Sequence, residues 1–179
     1  MKKVLTILFS LFFIIKGANA MDKENTIYLE LKDGRVVIEL IPEVAPQHVA
    51  RIKELVQEKF YDGIVFHRVI EGFMAQTGDP MGTGMGGSDK PNLPAEFNNN
   101  PHTRGAVSMA RSQDPNSANS QFFIVLENSN FLDGQYTVWG YVKEGMEFVD
   151  NIKKGNSAQN GSVVAPDKII TMRLASEVE

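Results

Sequence analysis

The stretch IYLELKDGRVVIEL, residues 27–40, is typical of two β-strands joined by a tight turn. Apolar residues occupy every second position on both sides of Asp33-Gly34, at Ile27, Leu29, Leu31, Val36, Ile38 and Leu40. Because side chains alternate between the two faces of a strand, each half predicts a strand with one buried face. An Asp-Gly pair between two alternating runs is the strongest short-range signal of a β-hairpin. The chain therefore begins its fold with a hairpin.

The period of the apolar residues changes after this hairpin. In residues 46–60 they fall at helical spacing, at Val49, Ile52, Val56 and Phe60. Pro46 lies near the first turn and Asp62-Gly63 follows, as is usual at the two ends of a helix. We predict an amphipathic helix here that covers part of the sheet. Residues 146–154, followed by Gly155, predict a second helix.

The rest of the chain consists largely of short apolar runs separated by glycine and asparagine. These runs are residues 65–70, 73–77, 106–110, 122–126, 137–142 and 169–174. With the hairpin they predict an all-β fold with two helices, a closed eight-stranded antiparallel β-barrel capped by two α-helices. Closure is expected because it removes exposed strand edges. The Gly- and Pro-rich stretch 78–96 predicts an ordered surface loop beside the functional site.

The composition indicates a single globular domain and excludes several classes of function. Of the 179 residues 42% are hydrophobic and none is cysteine, which excludes disulfides, thiolate metal sites and cysteine nucleophiles. Three scattered histidines, His48, His67 and His102, predict no metal site. The 22 acidic residues outnumber the 18 basic ones, and no basic run extends beyond Lys153-Lys154. A nucleic-acid-binding surface is therefore not expected.

Residues 1–20 have the pattern of a secretory signal peptide. Met1-Lys2-Lys3 is positively charged, residues 4–15 are mostly apolar, and Ala18-Asn19-Ala20 supplies small residues at a cleavage site. Twelve helical residues span about 18 Å against about 30 Å for the hydrocarbon core, which argues against a permanent anchor. We predict cleavage after Ala20, export to a bacterial periplasm or the exterior, and a mature domain of residues 21–179 without membrane association.

Paired residues on the outer faces of strands predict a binding surface. Alternation places Phe122 and Ile124 on one face of their strand, and Gln121 with Phe123 on the other. A barrel strand needs only one apolar face. Phe123 must therefore be covered by a helix or line a groove.

Two further strands show the same combination of an apolar and a polar side chain. Met74 shares a face with Gln76, and Phe66 is predicted to share a face with Arg68. These pairs predict a surface that binds a molecule with an apolar part and a peptide-like part.

Five stretches then make the sequence recognisable. They are VFHRVI (65–70), GFMAQ (72–76), SMA (108–110), SQFFI (120–124) and FLDG (131–134). In this order and spacing they resemble the signature of the cyclophilin family of peptidyl-prolyl cis-trans isomerases. The resemblance covers essentially the whole mature chain, and the fold it implies agrees with the predicted barrel.

The resemblance also implies a set of site residues. Arg68 matches the catalytic arginine of the family. The hydrophobic proline pocket is matched by Phe73, Met74, Phe123 and Leu132, and the groups that hold the substrate backbone by Gln76, Ala110 and Gln121. The resemblance implies no cofactor and no metal.

Three positions depart from the best-known members and make the chain similar to bacterial cyclophilins. Phe131 stands where those members carry Trp, Tyr136 where they carry His, and Arg111 where they carry Asn. Without the indole N–H, strong inhibition by cyclosporin is not expected. Phe131 still supplies an apolar wall for proline, and Arg111 can still hold substrate through its backbone.

The resemblance implies an isomerase that accelerates rotation of Xaa-Pro bonds in exported proteins as they fold. The alternative is a non-catalytic chaperone or scaffold that holds proline-containing segments in the same groove. An intact Arg68 favours the enzyme, since binding alone needs no donor at the proline nitrogen. We expect a monomer whose partners are proline-containing peptide segments of client proteins.

Three other features are given structural interpretations. His67 has no second ligand at metal-binding spacing and is interpreted as a hydrogen-bonded structural histidine. Residues 82–87 are glycine-rich but lack the Gly-Lys-Ser/Thr of a nucleotide-binding loop. Trp139 is predicted to lie in the core. Asn160-Gly161-Ser162 matches a glycosylation pattern to which we assign no role.

Overall fold

The computed structural model describes residues 21–178, and the predicted signal peptide, residues 1–20, lies outside this range. Its strands are β1 (Thr26–Leu31), β2 (Gly34–Leu40), β3 (Arg68–Ile70), β4 (Met74–Thr77), β5 (Ala106–Met109), β6 (Phe122–Val125), β7 (Val138–Glu144) and β8 (Thr171–Leu174). The two helices are α1 (Pro46–Gln57) and α2 (Met146–Asp150).

The strands form one antiparallel sheet in the order β3-β4-β6-β5-β7-β2-β1-β8. The hairpin predicted from residues 27–40 is confirmed, but its two-residue turn is Lys32-Asp33 rather than Asp33-Gly34, since Gly34 begins β2 and pairs with Leu31. The eight antiparallel strands and two helices predicted from the sequence are likewise confirmed.

The barrel is less completely closed than predicted. β3 and β8 are the edges of the sheet, and the chain segments that precede them meet through one bridge, between Val65 and Lys168. Backbone hydrogen bonds of 2.9 Å from Phe66 N to Asp167 O and from Ile169 N to Ile64 O support this seam. β3 does not pair with β8, because its outer edge is occupied by residues 155–162, with Val69 N donating to Gly161 O and Gly155 N to Val69 O. The sheet is therefore a curled half-barrel.

Both helices are shorter than the sequence predicts. α1 begins at Pro46 but ends at Gln57, because Lys59 adopts a left-handed conformation with φ of 57°. α2 ends at Asp150 and packs against β2, so closely that a Cβ on Gly34 would lie 2.5 Å from the Phe148 ring. None of the helices in residues 21–178 is long and apolar enough to cross a membrane.

Alternation along the strands divides the apolar residues between two clusters. Phe122 and Ile124 lie in the main core, together with the buried face of α1 and the fully buried Trp139, as predicted. A second cluster lies on the other face of the sheet and comprises Met74, Ala106, Phe123, Val125, Leu132 and Val138. This second face carries the candidate site.

Candidate active site

Three neighbouring strands bring a cation, an amide and an aromatic ring side by side. The register of the sheet pairs Arg68 of β3 with Gln76 of β4, and Gln76 with Phe123 of β6. Met74 lies two residues before Gln76, and side chains two residues apart project from the same face. The sheet thus builds the predicted combination of apolar and polar groups on one surface.

These side chains line a cavity of about 290 Å³, named here the proline cavity. Its lining is Arg68, Phe73, Met74, Gln76, Ala110, Arg111, Phe123, Phe131, Leu132 and Tyr136. Ten of the eleven predicted site residues therefore meet at one place. The eleventh, Gln121, donates from Nε2 to Gly84 O and Gly86 O and lines an adjoining cavity of about 560 Å³.

Arg68 is fixed on two sides by neutral acceptors. Its Nη1 donates to Gln76 Oε1 at 3.1 Å, with the Met74 sulfur 3.9 Å away. Its Nε donates to Asn160 O at 3.0 Å and its Nη2 to Asn160 Oδ1 at 2.9 Å. Burial lowers the pKa of the Arg68 guanidinium from its ordinary value. An arginine nevertheless stays protonated at any ordinary pH.

A chain of amides links Arg68 to the adjoining cavity. Gln76 accepts from Arg68 and donates from its own Nε2 to Gln121 Oε1 at 2.9 Å. Because each amide both donates and accepts, the three side chains fix one another's orientation. The glutamines predicted to hold substrate backbone are therefore also part of the support of Arg68.

Aromatic side chains form much of the apolar wall of the proline cavity. The rings of Phe73 and Phe131 lie 5.4 Å apart, and the Phe123 ring meets Tyr136 edge-on at 5.8 Å. Phe131 is 67% exposed and so forms the outer rim of the cavity, whereas Phe123 is only 5% exposed and forms its base. The cavity is therefore apolar at its base and open to solvent at its rim.

Arg111 adds a second fixed cation between the two cavities. Its guanidinium lies 4.5 Å from the centre of the Tyr136 ring. Nε and Nη2 donate to Gln135 O at 3.1 and 2.9 Å, and Nη1 donates to Ser112 O at 2.9 Å. The side chain is thereby held at the boundary of both cavities.

Asp79 fixes the glycine-rich wall of the adjoining cavity. Its carboxylate accepts from the amides of Met81, Thr83 and Gly84 at 2.7–2.9 Å. Although burial alone would raise it, hydrogen bonds from backbone amides and from the Thr83 hydroxyl lower the pKa of Asp79 to about 2. The predicted loop is thus ordered around a buried anion.

Two predictions about the segment before β3 are wrong. Phe66 does not share a face with Arg68, since Phe66 is fully buried in the main core. β3 begins only at Arg68, so strict alternation does not extend back to Phe66. His67 is buried, but neither ring nitrogen has a hydrogen-bond partner within residues 21–178. Burial lowers the pKa of His67 and so favours its neutral form.

Two residues near the site were not predicted to belong to it. Asn160 holds Arg68 from a loop 92 positions further along the chain, and the sequence showed it only as part of a glycosylation pattern. His102 stacks on Phe123 from beneath, 6.1 Å between ring centres, and is held by Asp133 and Ser108. In residues 21–178 no three His, Cys, Asp or Glu side chains are grouped so that they could hold a metal ion.

Comparisons with known proteins find relatives of this chain in sequence and in structure. Residues 26–174 match the family model of the cyclophilin type peptidyl-prolyl cis-trans isomerases. A probable peptidyl-prolyl cis-trans isomerase of Brucella suis biovar 1 (strain 1330) is 54% identical over 176 residues, covering 92% of this chain and 90% of that protein. Peptidyl-prolyl cis-trans isomerase B of Bacillus subtilis (strain 168) is 46% identical over 135 residues, covering 74% of this chain and 93% of that protein.

Solved structures show the same architecture. A cyclophilin from Hirschia baltica superimposes with a TM-score of 0.79 and 31% identity, covering 88% of this chain and 76% of that one. A cyclophilin type isomerase from Cryptosporidium parvum, crystallised in the presence of the dipeptide Ala-Pro, gives a TM-score of 0.76 and 27% identity, covering 83% of this chain and 98% of that one.

Proposed function

Because the chain belongs to the cyclophilin type peptidyl-prolyl cis-trans isomerases, we propose that it isomerises Xaa-Pro bonds in the proline cavity, with Arg68 as the catalytic residue. The observation that carries this assignment is that the fixed Arg68 guanidinium and an apolar wall line the same cavity of about 290 Å³. The wall takes the proline ring, and the cation faces the bond that rotates.

The reaction requires stabilisation of a twisted amide and nothing else. Rotation about the imide bond has a barrier of about 18 to 20 kcal/mol and takes roughly 10 to 100 s unaided. An acceleration of about 10⁵ requires about 7 kcal/mol of transition-state stabilisation. No bond is made or broken, so the protein must only bind the twisted form better than the planar forms.

Arg68 supplies a hydrogen-bond donor to an acceptor that exists only in the twisted state. Twisting removes resonance, and the lone pair of the proline nitrogen then becomes a hydrogen-bond acceptor. Nη2 carries two hydrogens and donates one of them, to Asn160 Oδ1, within residues 21–178. The other N–H is available to the substrate. One preorganised donor of this kind contributes about 3 kcal/mol.

The remaining stabilisation comes from binding the proline ring and the residue before it at separate parts of the site. Phe73, Met74, Phe123 and Leu132 grip the proline ring, while Gln76 and the backbone near Ala110 hold the preceding residue. Gln76 is anchored at both ends, by Arg68 and by Gln121. Such fixed groups need little reorganisation when the bond twists.

The decisive experiment is an isomerisation assay on a short Xaa-Pro peptide, by protease coupling or NMR exchange. We expect Arg68→Ala to lower kcat/KM by about 10² or more, in line with the loss of one transition-state donor. Arg35→Ala is the control, because Arg35 lies on β2 and lines neither cavity. Full activity of Arg68→Ala would remove Arg68 from the mechanism. If instead the wild type bound the peptide without accelerating exchange, the chain would be a chaperone or scaffold.

We further propose that the substrates are proline-containing segments of exported proteins. The support is the signal pattern of residues 1–20, which predicts cleavage after Ala20 and release into a periplasm or the exterior. Mass spectrometry of the protein from its native cells should find residue 21 at the N-terminus. An intact Met1 would contradict the proposed cleavage.

A last proposal concerns inhibition by cyclosporin. Phe131 forms the exposed rim of the proline cavity and has no N–H to donate, which supports weak binding of the drug. We expect Phe131→Trp to be inhibited at lower cyclosporin concentrations than the wild type. Equal inhibition of the two proteins would show that the indole is not the determinant here.

A further inference from the structure

The loop that carries Asn160 is fastened to the strand that carries Arg68. This Asn160 loop, residues 155–162, receives a hydrogen bond of 2.8 Å from Val69 N at Gly161 O and returns one of 2.9 Å from Gly155 N to Val69 O. Arg68 itself forms a backbone bridge with Ser162. The position of Asn160 relative to Arg68 is therefore set by main-chain bonds rather than by chance contact of two surface side chains.

The Asn160 loop is closely packed. A Cβ on Gly161 would lie 2.4 Å from the Ile70 side chain, and a Cβ on Gly155 would lie 1.9 Å from Gly161 O. Gly161 also has φ of 78°, where side chains are strongly disfavoured. Gly161 therefore allows the Asn160 loop to lie directly against the strand, and Gly155 allows the two ends of the loop to lie against each other.

Asn160 presents two hydrogen-bond acceptors to the Arg68 guanidinium. It follows a 3-10 turn, Ser157–Gln159, and adopts the left-handed conformation with φ of 52° and ψ of 34°. In this conformation its main-chain O accepts from Arg68 Nε and its Oδ1 accepts from Nη2. Asparagine is among the few residues other than glycine that tolerate this conformation.

Asn160 and Gln76 hold opposite edges of the Arg68 guanidinium. Gln76 occupies Nη1, and Asn160 occupies Nε and one hydrogen of Nη2. Two contacts on a planar group from one residue fix both its position and its plane. All these acceptors are neutral, so the cation is oriented without being neutralised.

We propose that Asn160 is a positioning residue for the isomerisation, which sets the plane of Arg68 so that its second Nη2 hydrogen points into the proline cavity. The proposal rests on the proposed role of Arg68. Asn160 itself contacts no substrate. It acts by removing the rotational freedom of a long side chain before the substrate binds.

The test compares Asn160→Gly with Asn160→Asp in the mature protein. Glycine keeps the left-handed backbone and the carbonyl acceptor but loses Oδ1, and we expect kcat to fall about three- to tenfold with KM within about twofold. We also expect the Arg68 Nη2 hydrogens, which lose Oδ1 as their acceptor, to exchange faster with solvent when observed by NMR. Aspartate retains an acceptor at the same place and should restore slow exchange and at least part of kcat.

Gln159→Ala is the matched control, because Gln159 lies in the same loop and its side chain makes no hydrogen bond within residues 21–178. It should leave kcat and the exchange of the Arg68 Nη2 hydrogens unchanged. Unchanged kcat and exchange in Asn160→Gly would overturn the proposal, as would a loss of kcat that Gln159→Ala reproduces. If Arg68→Ala proved fully active, the proposed catalytic role of Arg68 would fail, whereas the exchange data would still show whether Asn160 orders Arg68.

Discussion

At the scale of single residues, the site depends on charges that do not change near neutral pH. Every hydrogen bond that Arg68 makes within residues 21–178 goes to a neutral acceptor. Burial lowers the pKa of Arg68 from its ordinary value, yet a guanidinium remains protonated throughout the physiological range. Burial also lowers the pKa of the adjacent His67 from 6.5, so its imidazole is neutral above that pH.

The pH dependence of the reaction follows from these fixed charges. No general acid or base is needed, so we expect kcat/KM on a neutral Xaa-Pro peptide to vary by less than about twofold between pH 6.5 and 8. The measurement is an NMR exchange assay, which avoids the pH dependence of a coupled protease. A bell-shaped profile in this window would show that a titrating group takes part in catalysis.

The second cation, Arg111, should make the site prefer substrates with acidic rather than basic side chains. Arg68 and Arg111 are the only charged residues among those that line the two cavities in the described part of the chain. A substrate that crosses the boundary between the cavities passes Arg111, which is fixed on the Tyr136 ring. An acidic side chain beside the proline should therefore be favoured over a basic one.

This preference can be measured with peptides that carry Glu, Gln or Lys at the positions before proline. At low salt we expect kcat/KM for the Glu peptide to exceed that for the Gln peptide by about two- to fivefold at the position nearest Arg111, as for a partly exposed ion pair. Salt at about 0.5 M should remove most of the difference. Arg111→Gln should abolish the Glu to Gln ratio, whereas Arg35→Gln should preserve it. A ratio that is the same in Arg111→Gln would exclude Arg111 as its cause.

At the scale of elements, long alternating strands were predictable and short irregular ones were not. β1 and β2 each carry at least six residues of alternating pattern, so their faces and register follow from the sequence. β3 has three residues, and the pattern that precedes it continues into irregular backbone. This is why the predicted face of Phe66 was wrong while those of Met74 and Gln76 were confirmed.

The N-terminus of α1 is capped by a residue that is distant in the sequence, which the local sequence could not predict. Its N-cap residue, Ala45, offers no side-chain hydrogen bond. Glu96 instead accepts from Gln47 N at 3.1 Å and from His48 N at 3.0 Å, and its Oε2 lies 2.6 Å from His48 Nδ1. A cap supplied from 48 positions away cannot be predicted from the residues around Pro46.

Removal of this distant cap should destabilise the fold. Glu96→Ala leaves two helix N-terminal amides and the buried Nδ1 of His48 without an acceptor, and also removes a favourable charge from the helix N-terminus. We expect the free energy of unfolding in urea to fall by about 2 to 3 kcal/mol. Glu43→Ala is the control, since Glu43 is exposed just before α1. A loss below about 0.5 kcal/mol, as is usual for surface substitutions, would show that water replaces the cap.

At the scale of the whole molecule, the residues that line the site were more predictable than the residues that hold them in place. The residues that line the proline cavity lie in short, distinctive motifs, and the register of β3, β4 and β6 brings them together. Asn160 and His102 contact these residues without lining the cavity, and no sequence motif predicts that role for either of them. Their roles depend on which loops fold against the sheet, and that is decided only by the packing of the complete chain.

The three histidines make the stability of the whole fold depend on pH. Burial lowers the pKa of His48, His67 and His102 below 6.5, although Glu96 and Asp133 oppose this for His48 and His102. In the unfolded chain these groups take up protons near pH 6.5, whereas in the folded protein they remain neutral to lower pH. Their contribution to stability is therefore complete above pH 6.5 and is lost as the pH falls toward the folded pKa values.

We expect the free energy of unfolding in urea to be nearly constant from pH 8 to 7 and to decrease from pH 6.5 to 5. The slope can reach about 1.4 kcal/mol per pH unit for each histidine, because each proton taken up only by the unfolded chain contributes that amount. His67→Leu, at a buried ring without a hydrogen-bond partner in the described chain, should reduce the slope. An NMR titration of the three rings in the wild type gives the folded pKa values directly. Stability that stays constant or rises between pH 6.5 and 5 would show that the imidazoles are protonated as readily in the fold as outside it.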